Sequence, residues 1–203
     1  MNGMETARAK AASRRRRDIA DAVIALLAAK GSRSVTHRAV DQHLDLAEGS
    51  TSAYFRTRVS LLTAAAQRLA QRDRSAVDAL TADLGENART STFAELLAAI
   101  VDEWTTVDAA PRQLARLELQ LEARSLPDLA DAFAELRAAF VDSARLLIAL
   151  RQPELDDHSA TALAGVIVAM VDGLVVDRLL HPATAVSPQA LPAAIASLAA
   201  SNW

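Results

Sequence analysis

The segment Val35 to Leu62, VTHRAVDQHLDLAEGSTSAYFRTRVSLL, admits few folds, because a helical pattern stops and restarts twice within it. Thr36 is placed to cap a short helix whose inner face is Val40 and Leu44. Asp45-Leu46-Ala47 forms a tight turn, Glu48 to Phe55 a third helix, and a longer helix starts at Arg58. Val40, Leu44 and Leu46 supply the small apolar core that fixes the crossing angle of two such helices, so the unit is a helix-turn-helix. Helix propensity disfavours each residue of the Gly-Ser-Thr-Ser run at 49–52, which a plain helical hairpin does not account for.

The rest of the chain is just as helical. Half of its 203 residues are hydrophobic, and only 6 Gly and 6 Pro interrupt it. Residues 1–12 lack periodicity and are expected to form a mobile basic arm. Ile19, Val23, Leu26 and Leu27 mark one face of a helix from Ser13 to Lys30, closed by Gly31. The helix from Arg58 is expected to end near Leu84, where Gly85-Glu86-Asn87 breaks the pattern. Thr92 and Glu95 have capping-box spacing, and Pro111 and Pro127 open further helices. An apolar helix over Ala160–His181 ends at Pro182, and a last one spans Pro188–Ala200. The expected fold class is all-α, with about nine helices and no strand.

Charge separates the two parts. Residues 1–74 carry 14 Lys+Arg against 7 Asp+Glu, while the remainder carries 8 against 18. A basic head on an acidic body suits a polyanion-binding surface at one end. The outer face of the third helix presents Ser50, Thr51, Ser52 and Tyr54, short hydroxyls and one phenol able to meet base edges. Thr36, His37 and Arg38 direct a helix N-terminus toward phosphate, and Arg58 heads the next helix toward another. Glu48 opens the third helix beside them. These residues form the candidate surface for double-stranded DNA.

Several function classes are disfavoured. Without cysteine there is no disulfide scaffold or thiolate metal site. The four histidines, His37, His43, His158 and His181, are scattered, and no Glu-x-x-His pair supports a bundle metal centre. The expectation is a non-enzyme with no metal and no cofactor. The charged N-terminus lacks the apolar run of a secretory signal. Asp172, Asp177 and Arg178 interrupt the most apolar helix, so the expected location is the cytoplasm. The competing reading is a helical enzyme or scaffold without sequence-specific DNA binding.

Ser13 to about Leu69 resembles the N-terminal domain of TetR-family transcriptional regulators. Thr36, Val40, Gly49, Ser50, Phe55 and Arg58 fall in register with that family's pattern. Two positions depart: Asp45 replaces the turn glycine, and Ser52 stands where the first Tyr is usual. Asp is among the few residues that visit the left-handed region. The resemblance implies a helix-turn-helix domain at 13–65 and an effector-binding and dimerisation domain at 66–203. It implies a homodimeric repressor on a palindromic operator, released by a small molecule.

Under that resemblance, Ala164, Gly165, Val168, Ala169, Gly173 and Val176 are the candidate dimer contacts. Phe93, Leu97, Trp104, Leu121, Phe133, Phe140 and Met170 are candidates for an apolar effector pocket, with Glu118, Gln120 and Glu122 as polar anchors. Aromatic content of 3% gives no sign of a flat, stacked ligand.

Overall fold

The computed structural model describes residues 2–87 and 92–200, and the regular elements among them are all helical. In chain order they are α1 (Asn2–Lys30), α2 (His37–His43), α3 (Arg58–Asn87), α4 (Phe93–Trp104), α5 (Ala110–Ala123), α6 (Pro127–Arg151), α7 (Asp157–Leu180) and α8 (Leu191–Ala200). Two single 3-10 turns, Ser32–Ser34 and Thr51–Ala53, complete the set. The all-α class is as expected, and the count falls one short of nine because the third helix is only a 3-10 turn.

Two further departures have local causes. Residues 2–12, expected as an arm, continue α1, since helix formers such as Ala, Glu, Lys and Arg fill them. Helix α3 runs through Gly85 to Asn87. A single interior glycine costs about 1 kcal/mol against alanine, too little to stop a helix of this length.

Two compact units divide the chain. The first comprises residues 1–72 together with 114–134, the second 73–113 together with 135–203. In the first, Ile19, Val23 and Leu27 of α1 pack with Val35, Val40, Phe55, and Leu61, Leu62 and Leu69 of α3. Ala115 and Leu119 of α5 and Leu129 of α6 belong to the same core, each without exposed surface. The sequence reading divides the chain at residue 65; the first unit extends to 72 and recruits 114–134 because those side chains complete its core.

In the second unit, the capping box is present: Thr92 Oγ1 accepts from the Glu95 amide at 3.2 Å, and the Glu95 carboxylate accepts from the Thr92 N–H. It starts α4 with Leu96, Leu97, Val101 and Trp104 buried. Helix α7 buries Ala160, Ala164, Ile167, Val168, Val171 and Val175, the spacing of one helical face. By length and composition α7 is apolar enough to cross a membrane. Its buried stripe marks it as a packed helix of this unit. A carboxylate without exposed surface, Asp73, lies 3.1 Å from Arg112 Nε and accepts from Gln113 Nε2 at 3.4 Å.

Candidate nucleic-acid interface and ligand cavity

The turn between α2 and α3 is organised by one buried carboxylate. Asp41, 2% exposed, accepts the Gly49 N–H on Oδ2 at 2.8 Å. On Oδ1 it accepts the Thr51 N–H at 2.8 Å and the Thr51 hydroxyl at 2.6 Å. Burial pushes this carboxyl up, but the Thr51 and Gly49 hydrogen bonds and the nearby His37 more than offset it, leaving its pKa below the usual range. Sequence reasoning missed Asp41. Its signal was a charge one residue after Val40, on the flank of the helix that faces the turn.

Backbone geometry agrees with the turn chemistry. Asp45 has φ 52, the left-handed conformation expected of it, and Gly49 has φ 90. Thr36 caps α2, its Oγ1 accepting the Ala39 N–H at 3.1 Å. Val40 is fully buried, whereas Leu44 and Leu46 are half-buried. At the start of α3, Thr57 and Ser60 cap reciprocally: each backbone N–H donates to the other's hydroxyl oxygen, at 3.2 and 3.1 Å.

The expected third helix over Glu48–Phe55 is a turn followed by the 3-10 turn Thr51–Ala53. Its hydroxyls are the reason. Ser50 Oγ donates to the Ala47 carbonyl at 2.6 Å and Ser52 Oγ to the Gly49 carbonyl at 2.7 Å, competing with helical hydrogen bonding. Both hydroxyl protons are thereby spent, so Ser50 and Ser52 meet an incoming group as acceptors.

The nine residues singled out for DNA divide by placement. Thr36, Arg38, Glu48 and Ser52 are exposed, and His37, Ser50, Tyr54 and Arg58 are half-buried. Thr51 leaves the set, since it has no exposed surface and its hydroxyl is bound to Asp41. His37 Nε2 lies 2.7 Å from the Phe55 carbonyl oxygen, and because a carbonyl only accepts, Nε2 carries the proton. The guanidinium of Arg16 donates to the Tyr54 carbonyl at 3.1 Å and stacks over Phe55 at 5.2 Å from the ring centre. Arg58 is held by Glu122, with Nη1 3.2 Å from Oε2. Two further exposed residues, Gln42 and Arg56, were not singled out. Arg56 is a cation at the surface between the Tyr-Phe pair and α3, legible only as one more arginine.

The second unit holds an open-mouthed cavity of about 430 Å3, within the size range of ligand sites. Phe93, Leu97, Trp104 and Phe140 line it as expected. Trp104 and Phe140 meet with centroids 5.6 Å apart at a 51° tilt. Leu96, Ile100, Ala144, Leu147 and Ile167 add apolar wall, while Ser143, Arg151, Gln152 and Asp172 supply polar groups. Three of the chain's seven aromatics converge here, so low aromatic content did not mean a cavity without stacking surface.

The remaining pocket candidates lie elsewhere. Glu118 and Glu122 bind Ser32 within the first unit, and Phe133 packs against that unit's core. Leu121 is 58% exposed, and Met170, half-buried, does not line the cavity.

Along α7, Ala164 and Val168 face the interior of the second unit, and Val168 lines the cavity. They leave the dimer set. The outward face carries Ala162, Val166, Ala169 and Gly173, with Gly165 and Val176 half-buried. A Cβ built at Gly165 or Gly173 meets nothing within 4 Å.

Residues 88–201, more than half of the chain, match the family described as "Tetracyclin repressor-like, C-terminal domain". Among solved structures, the multidrug binding protein EbrR complexed with ethidium is 27% identical, with a TM-score of 0.67 over 91% of this chain and 97% of that one. A TetR-family member from Streptomyces coelicolor A3 is 26% identical, with a TM-score of 0.69 over 91% and 97%. A protein from Saccharomonospora viridis, in complex with choline, shares the fold at 20% identity and a TM-score of 0.71, over 94% and 97%. No curated protein matches the sequence.

Proposed function

The chain belongs to the TetR family of transcriptional regulators, and from that footing we propose that it is a homodimeric repressor, released from a palindromic operator by a small molecule. The observation that carries this reading is the coexistence of two sites in one chain. One is a clasped helix-turn-helix with exposed Thr36, Arg38, Ser52 and Arg56; the other is a separate, largely apolar cavity. A helical scaffold or enzyme has no use for the first, and a constitutive DNA-binding protein has none for the second. Acting on DNA, it would work in the cytoplasm, with residues around 13–65 as the DNA-binding part and the C-terminal remainder serving effector and dimer.

DNA contact would rest on Thr36, His37, Arg38, Ser50, Ser52, Tyr54 and Arg58, with Glu48 and Arg56 at the margin. Ser50 and Ser52, presenting lone pairs, suit the exocyclic amino groups of adenine or cytosine. The effector would be an apolar organic molecule carrying positive charge. Support comes from the faces of Trp104 and Phe140 in one cavity, since aromatic faces favour a cation; Asp172 and Arg151 line it with opposite charges, and Asp172 pairs with Arg137 at 4.0 Å. The ethidium held by EbrR and the choline held by the S. viridis protein are also organic cations. Such an effector releases DNA only by binding the DNA-incompetent state more tightly.

A mobility-shift assay with the chain's own upstream region tests the regulator reading. Retardation that exceeds binding to random DNA, and that a non-intercalating organic cation such as choline reverses, is expected. No retarded band at low salt with any fragment would sink it, and equal affinity for random DNA would replace it with non-specific binding.

The dimer has its own test. Val166 is 62% exposed on the outer face of α7, so Val166→Arg leaves the monomer fold intact while placing charge at the proposed interface. The variant is expected to sediment as a monomer at concentrations where the parent is a dimer, and to lose operator binding with it. Unchanged sedimentation would move the interface off this face.

A further inference from the structure

Two carboxylates of α5 converge on the segment that joins α1 to α2. Ser32 donates its backbone N–H to Glu118 Oε2 at 3.0 Å and its hydroxyl to Glu122 Oε1 at 2.7 Å. Arg58 Nη1 and Nη2 reach Glu122 at 3.2 and 3.4 Å, and Nη2 also donates to the Ser32 carbonyl at 2.8 Å. Gly31 permits this approach: a Cβ there would lie 3.4 Å from Glu118 Oε2, on a backbone with φ +72. An amide N–H, a hydroxyl and a guanidinium make up the donor set with which proteins hold DNA phosphates. In this chain that set closes on the protein's own carboxylates.

We infer that Glu122 stands in for a DNA phosphate at Arg58 in the free protein, so that helix α5 and the operator compete for one guanidinium. The inference rests on the DNA-binding reading of this unit. Three features carry it. The pair joins positions 58 and 122, far apart in sequence, so it is a tertiary contact and not a helical neighbour effect. The two side chains are 39% and 26% exposed, so Arg58 can exchange partners without losing a buried charge. Finally, the hydrogen bonds from Arg58 and Ser32 hold Glu122 below the usual carboxylate range. It is therefore ionised at neutral pH and would repel a phosphate approaching the same donors. Glu122 is thus a positioning residue whose charge lowers DNA affinity.

The test is a two-by-two set on the full chain: parent, Glu122→Gln, Arg58→Ala and the double variant. Each is titrated with operator DNA over a range of salt concentrations. Gln keeps an oxygen for Ser32 and Arg58 but removes the charge. Glu122→Gln is expected to tighten binding by roughly 3- to 10-fold at low salt and to steepen the salt dependence by about one ion. In the Arg58→Ala background the same change is expected to do nothing, because the contested group is gone. A Glu122→Gln variant that binds no tighter, or that gains as much without Arg58, overturns the inference while leaving the regulator reading intact. Absence of DNA binding in the parent overturns both. Thermal melting of each variant reports folding, and Glu122→Ala, which should tighten binding in the same direction, serves if Gln perturbs the fold.

Discussion

Replacing Asp41 by Ala should abolish operator binding, with a loss of at least about 100-fold, and should destabilise the first unit by about 3–5 kcal/mol. Three donors, the Gly49 N–H, the Thr51 N–H and the Thr51 hydroxyl, end on this one carboxylate, and Thr51 has no exposed surface. Alanine leaves the Thr51 N–H and hydroxyl without an acceptor in a site closed to solvent, and the part-buried Gly49 N–H without its partner. Each such orphan costs about 1–3 kcal/mol, a large share of the ~5–15 kcal/mol by which a domain is stable. The turn that carries Ser50, Ser52 and Tyr54 would open with it. Asp41→Asn should cost less, because its amide oxygen still serves one side while its NH2 meets a donor on the other.

The same contacts predict an acid dependence. They stabilise the ionised form, so the folded pKa lies below the unfolded one. The stabilisation is therefore fully present above the usual carboxylate range and is lost as pH falls through the lower, folded value. Thermal melts against pH should show this loss in the parent and not in Asp41→Asn. Equal melting of parent and Asp41→Ala at neutral pH would show that the turn is held by something else.

The second large effect concerns the cavity. Ala144→Trp, projecting an indole into a space of about 430 Å3 among α4, α6 and α7, should weaken binding of the proposed cationic effector, probed with ethidium, by at least about 100-fold. Operator affinity should stay within about twofold, since Ala144 belongs to the second unit and the residues assigned to DNA belong to the first. Stability should change little: the new ring gains apolar burial in a preformed space, against an overpacking cost of about 1–3 kcal/mol. The decisive observation is a fluorescence titration without DNA in which the parent binds ethidium and Ala144→Trp does not. If the variant binds ethidium as tightly as the parent, the effector sits elsewhere. If operator binding falls with effector binding, the substitution has damaged the fold and the cavity assignment rests on nothing.

How far these sites were legible in the sequence depends on how local their causes are. The Thr36 cap, the Thr92–Glu95 box and the left-handed Asp45 each depend on one residue and its near neighbours, and all three are present. The third helix failed for an equally local reason, in that Ser50 and Ser52 back-bond to carbonyls three residues earlier. The low propensity of the Gly-Ser-Thr-Ser run both marks it as unusual and limits the helix it sits in. Phe93, Leu97, Trp104 and Phe140 line the cavity of the second unit because the apolar stripes of α4 and α6 face inward. Glu118, Glu122 and Phe133 were misplaced because their stripe on α5 and α6 faces the core of the first unit.

The family is identified by the residue 88–201 match, while the sequence by itself determined the helical class and the place of α2, its cap and the turn after it, because periodicity, caps and turn residues act over a few positions. Tertiary structure decided which side of each helix is spent. It buried Thr51 against Asp41 and turned Ala164 and Val168 away from the outer face of α7. It also set Glu122 against Arg58 across 64 residues of chain. The Asp41–Thr51 pair closes over ten residues, but nothing local encodes the other two placements, which depend on where more distant helices come to lie.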